Sequence, residues 1–158
     1  MTPTEFLKKY GDAFVVACEG TKLFPSVKLA QAALESGWGK YAAGNNLFGI
    51  KASNKRNSPY WNGDYVESRT TEYENGSFVP TTRKFRKYAS ISDSIKDHNY
   101  FLQTEPRYAN IFNAKTPEEQ AQALQDAHYA GNTPDYARRL INIINTYNLK
   151  RFDEKKNL

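Results

Sequence analysis

One cysteine, two histidines and one methionine in 158 residues rule out several chemistries at once. A lone Cys18 cannot form an internal disulfide, and neither His98 nor His128 has the HExxH or cysteine spacing that a metal ion requires. Cys18 also falls at apolar helical spacing and lacks the local signature of a nucleophile, so packing is its expected role. No GxGxxG or Walker A stretch is present, which removes the usual nucleotide cradles. No apolar run approaches the ~18 residues of a membrane span. The opening MTPTEFLKKY has no basic start, apolar centre or small-residue cleavage site of a secretory signal. The expectation is a chain that leaves the cell by another route, a mature form, or an excised catalytic domain. No cofactor and no metal are expected.

What the chain does contain is ordinary core material, 39% hydrophobic and 25% charged residues, sized for one domain. Lys and Arg outnumber Asp and Glu by 22 to 17, and the net charge of +5 favours a polyanionic partner such as nucleic acid or an acidic cell wall. Part of that excess lies in Lys150, Arg151, Lys155 and Lys156, so residues 150–158 are read as a charged, solvated end following a single domain over 1–149. Eleven tyrosines, nine phenylalanines and two tryptophans suit a surface that stacks on sugars or bases. There is no internal repeat and no low-complexity tract.

Helix signals are local and clear. Thr2-Pro3-Thr4-Glu5 supplies a cap, a first-turn proline and a capping-box glutamate before Phe6, Tyr10, Phe14 and Cys18. A second helix opens near Pro25-Ser26 and stops at Gly37 and Gly39. Residues 41–64, rich in Asn, Gly and Ser, read as a long ordered loop of the kind that usually carries function. Asn75-Gly76 between β-branched and aromatic runs predicts a hairpin with strands near 65–74 and 78–87. Ser90 with Asp93, Thr116-Pro117 and Thr133-Pro134-Asp135 open further helices, and His98 and His128 fall within predicted helices. Four to six helices with one inserted hairpin make an α+β domain.

The stretch QAALESGWG, residues 31–39, raises the chemical question. Glu35 falls in the last turn of its helix, where the negative end of the macrodipole disfavours a carboxylate. Trp38 folding back over it would add desolvation, and both effects hold a proton on the acid near neutral pH. A proton held there could be given to a glycosidic oxygen. The plain alternative is an exposed glutamate before an ordinary glycine cap.

The residues around Glu35 decide between these. QAALESGWG, NNLFGIKA at 45–52 and TTEYENG at 70–76 resemble the catalytic signature of glycoside hydrolase family 73, the bacterial peptidoglycan N-acetylglucosaminidases. FRKY at 85–88, PRYANIF at 106–112 and YAGNTPDYARRL at 129–140 extend the resemblance over nearly the whole domain in order. It implies a mainly helical lysozyme-like fold with a small β-hairpin lobe across a glycan-binding groove. It further implies cleavage of the β-1,4 bond between GlcNAc and MurNAc, with Glu35 as general acid and Glu72, on a mobile lobe, assisting attack. Tyr129 is implied near the reacting sugar, Trp38 beside the acid, and Asn46 and Phe48 in a loop shaping the groove floor. Tyr73 and Tyr108 join these as expected substrate-binding residues, aromatics able to stack on pyranose rings.

Strand alternation puts Glu72 and Glu74 on one face and Glu67 with Tyr73 on the other, so Glu74 competes with Glu72 and only the resemblance separates them. Inverting, retaining and substrate-assisted routes stay open, since they differ in a carboxylate separation that sequence does not give. The expected partner is the peptidoglycan glycan strand, met outside the cytoplasm by a monomer, with no nucleic acid and no membrane span. Muramidase cleavage of the other glycan bond and non-catalytic wall binding are the alternatives.

Overall fold

The computed structural model describes residues 1–54 and 56–156, with the side chains of Thr70 and Glu72 also outside the description. Helix α1, Pro3–Cys18, starts where Thr2 Oγ1 accepts the Glu5 amide at 3.1 Å, and buries Phe6, Leu7, Phe14, Val15 and Cys18. Burial pushes the Cys18 thiol up to about 11, which suits packing rather than chemistry.

Helix α2, Pro25–Ser36, is buried at ten of its twelve residues. A helix apolar on most sides must run through the core rather than over it. It contacts α1, α5 (Tyr136–Thr146), α4 (Pro117–Asp126) and α6 (Lys150–Lys155). It ends where Gly37 enters the left-handed region, φ 59°, and its amide bonds to Ala33 O at 2.9 Å. Trp38 follows in the same region at φ 59°, rare for a bulky residue, with its indole edge-on to Phe6 and Tyr147.

Strands β1, Tyr65–Glu74, and β2, Ser77–Arg86, form an antiparallel hairpin closed by Asn75 (φ 48°) and Gly76 (φ 83°). Both central residues have positive φ, the turn that an Asn-Gly pair favours because it matches strand twist. The long loop lies along the base of β2: Arg86 N donates to Ile50 O and Ala52 N to Lys84 O, both at 2.9 Å, and Lys51 pairs with Phe85. Helix α3, Ile91–Thr104, capped by Ser90, packs against α1. The 3₁₀ segment Pro106–Asn113 joins it to α4.

Two expectations change. His128 is in a turn with φ 60°, because α4 ends at Asp126. Residues 150–155, read as a solvated end, form α6: the Phe152 ring is buried against Gly11, where a Cβ would come within 2.5 Å of it. Among the described residues no helix is long and apolar enough to cross a membrane.

Candidate active site

Glu35 lies at the end of α2 on the wall of a cavity of about 370 Å³. Tyr41, Ala43, Asn46 and Gly49 from the loop form a second side, and Val66, Glu67, Ser68 and Phe85 from the hairpin a third. The glutamate is open to solvent on the cavity side, while protein packed around the rest of the carboxyl raises its proton affinity above the ordinary value of 4.5 by desolvation. The direction agrees with the sequence argument, but the cause differs in one respect. Trp38 is not on the cavity wall; its indole packs between α1 and α5.

Asn46 holds the loop in shape. Its Nδ2 donates to Ile50 O at 2.9 Å and Arg86 O at 3.1 Å, while Oδ1 accepts the amides of Ile50 at 3.1 Å and Phe48 at 3.4 Å. One side chain thus satisfies four groups of a buried turn, which is why an asparagine stands there. Asn46 also reaches the cavity. Phe48 and Tyr108, expected to bind substrate, are buried: Phe48 stacks on His98 at 3.9 Å, and Tyr108 packs against Phe101 and Tyr129. Tyr73 stands at the hairpin tip, 66% exposed and edge-on to Phe78, away from Glu35's cavity. The side chain of Glu72 lies outside the described residues; its backbone pairs with Val79.

One turn before Glu35 on α2, Gln31 leads to a polar and aromatic cluster of Tyr136 and Tyr129, which does not line the cavity itself. Tyr129 stacks on Tyr136 at 5.6 Å; burial holds both hydroxyls protonated, with smaller contributions in the same direction from Tyr136 and then Glu35 for Tyr129, and from Glu35 against the Gln31 bond for Tyr136. The acid and the two phenols therefore share one electrostatic neighbourhood. Gln31 Nε2 donates to the Tyr136 hydroxyl at 3.1 Å. Sequence reasoning missed Gln31, and it placed Glu67 on a strand face without seeing that the cavity lies beside it. Among the described residues no three His, Cys, Asp or Glu side chains group as a metal would require.

The hairpin is tied to the body by a buried ion cluster. Asp97 accepts from Arg86 at 3.1 Å, Arg56 at 3.3 Å and the Tyr88 hydroxyl, while Arg86 also donates to Asn54 O and Arg56 O and stacks on Trp61. The base of β2 is fixed to α3 there, and the cavity wall with it.

A helical body carrying its acid at a helix end, faced by a two-stranded lobe, is the layout of lysozyme-like glycoside hydrolase domains. The catalytic domain of the autolysin Auto from Listeria monocytogenes matches with a TM-score of 0.78 at 32% identity, over 96% of this chain and 89% of that one. The family model for glucosaminidases, described as mannosyl-glycoprotein endo-β-N-acetylglucosaminidase, matches residues 11–149, and the chain belongs to that family. Among curated relatives, the peptidoglycan hydrolase FlgJ of Escherichia coli is 46% identical over 123 residues, 73% of this chain. The exo-glucosaminidase LytG of Bacillus subtilis is 36% identical over 140 residues, 84% of this chain. The chain spans 37% of the length of FlgJ and 47% of that of LytG.

Proposed function

We propose that this domain hydrolyses the β-1,4 bond that follows N-acetylglucosamine in peptidoglycan, with Glu35 as general acid. The observation that carries the reading is the position of Glu35: accessible from an open cavity, yet surrounded closely enough that desolvation makes it hold a proton more tightly than a free glutamate. A protonated carboxyl at that point can protonate the glycosidic oxygen as the bond breaks. The glucosaminidase family and the activities named for FlgJ and LytG support the substrate class.

Attack on the anomeric carbon needs a second group. The family resemblance gives that part to Glu72, and the cavity offers Glu67. Tyr129 stands beside the reacting sugar, where a phenol oxygen stabilises positive charge developing on the ring. Asn46 shapes the wall against which the glycan lies. Work on the wall places the domain outside the cytoplasm, and its net charge of +5 favours approach to an anionic polymer. It needs no cofactor and acts as a monomer.

Mass spectrometry of fragments released from purified peptidoglycan tests the reading. GlcNAc at the new reducing ends is expected. MurNAc there would overturn the choice of bond in favour of a muramidase, and the absence of new ends from acidic to mildly alkaline pH would leave a wall-binding domain.

A further inference from the structure

Lys28 stands in the middle of α2, fully buried, and among the described residues no carboxylate lies within ion-pair distance of it. Its Nζ instead meets Nδ1 of His98, which is itself buried on α3, and sits 4.3 Å from the centre of the Phe48 ring. The other imidazole nitrogen, Nε2, lies 2.7 Å from the hydroxyl of Tyr129. The imidazole cannot turn out of this row. Phe48 is stacked on it with planes 1° apart, and Tyr129 stands edge-on to it at 89°. Of the three residues only Tyr129 reaches solvent.

A lysine and a histidine buried side by side without an anion cannot both hold extra protons. Desolvation lowers the proton affinity of each, and mutual repulsion lowers that of His98 further. Between a neutral amine and a neutral imidazole the direction of the hydrogen bond is set by basicity. The amine lone pair is the stronger acceptor and the imidazole N–H the stronger donor, so Nδ1–H donates to Lys28. That leaves Nε2 with a lone pair, and its partner is the Tyr129 O–H.

We propose that Lys28 and His98 are positioning residues for Tyr129: they draw its hydroxyl proton inward and turn the oxygen lone pairs toward the cleft of Glu35. A phenol oxygen held this way faces the sugar as an acceptor. It stabilises positive charge on the anomeric carbon in the transition state more than in the ground state, which is the condition for raising kcat rather than lowering KM. The inference rests on the proposed glycosidase reading and on the place of Tyr129 in it.

The protein has two histidines, so two-bond ¹H–¹⁵N spectra of histidine-labelled protein report the tautomer of His98 directly. The expected result is a neutral ring protonated at Nδ1; protonation at Nε2 overturns the inference without touching the glycosidase reading. In kinetics on peptidoglycan, Lys28→Met removes the acceptor with little change in volume. It is expected to lower kcat about tenfold, the rate equivalent of one hydrogen bond, with KM unchanged. In a Tyr129→Phe background the same change should cost nothing, and an equal loss in both backgrounds would mark Lys28 as structural only and overturn the inference. Full activity in Tyr129→Phe alone would instead remove Tyr129 from the proposed mechanism, and the inference with it.

Discussion

Asp153 caps α2 from 127 residues away in the chain: its carboxylate accepts the Ser26 amide at 2.8 Å and the Ser26 hydroxyl at 2.6 Å. The opening of α2 has no cap from its own N-cap residue, Phe24, so the helix that carries Glu35 at one end is held at the other by α6. Asp153→Ala is expected to cost about 1–2 kcal/mol, a lost N-cap. Deleting residues 150–158 should cost more, because it also uncovers the surface that Phe152 buries. Thermal denaturation of both variants checks the order, and a deletion as stable as the full chain would refute it.

Glu35→Gln is expected to reduce turnover by about 100- to 10,000-fold while wall binding is retained. The raised proton affinity of Glu35 fixes two signs. The alkaline limb of kcat/KM should lie above the ordinary glutamate value of 4.5, since the proposed general acid acts in its protonated form. The folded protein binds this proton more tightly than the unfolded chain, so the group contributes destabilisation once the pH exceeds the unfolded value. Glu35→Gln should therefore raise Tm at neutral pH, with the difference closing as pH falls below 4.5.

Glu67→Gln and Glu72→Gln separate the two claimants for the second carboxylate. The family resemblance expects the larger loss of kcat at Glu72, whereas Glu67 is the hairpin acid on the cavity wall. Rates on peptidoglycan decide, and addition of azide identifies a nucleophile or base by restoring turnover to the variant that lacks it.

Asn46→Ala takes a hydrogen bond from each of two carbonyls and two amides of a buried turn, of which Ile50 O keeps the Arg86 amide. A cost of about 2 kcal/mol or more is expected. Asn46→Asp should recover part of it, because the acceptor is kept. Urea denaturation of the pair checks the ranking.

Asp97→Ala strands Arg86 among buried neighbours, and breaking a buried pair from one side costs about 3–5 kcal/mol. The loss should be felt first at the base of the hairpin, as faster amide exchange at Ile50–Ala52 and Lys84–Arg86 than in α2.

Much of this fold was legible because its signals are local. Thr2, Ser90 and Thr116 each cap the helix they precede, with oxygens 3.1 Å from the amide three residues on, and Asn75-Gly76 closes the hairpin. What stayed hidden depends on partners distant in sequence. Phe152 looks like a lone aromatic in a charged end until Gly11 is placed under it. Trp38, Phe48 and Tyr108 have the composition of a sugar-binding surface, yet each finds aromatic neighbours from other elements and turns inward. Nothing in its own helix reveals that Lys28 is buried against His98 of α3 and Phe48 of the loop. The cavity position of Glu67 follows from where the hairpin base is bolted, and that is set by Asp97.

Among the described residues the hairpin is a sheet of two strands, met by the loop only at its base, and Phe78, Pro80, Thr82 and Lys84 face water along one side of β2. A ribbon built so has little elastic resistance of its own beyond the arginine-fixed root, and its outer half bends at small cost. Rigidity would then come from the guest, since a glycan lying along the inner face supplies the missing layer. Recognition and stiffening would be one event, and chain ends or short fragments that fail to reach the ribbon would be held loosely and cut slowly.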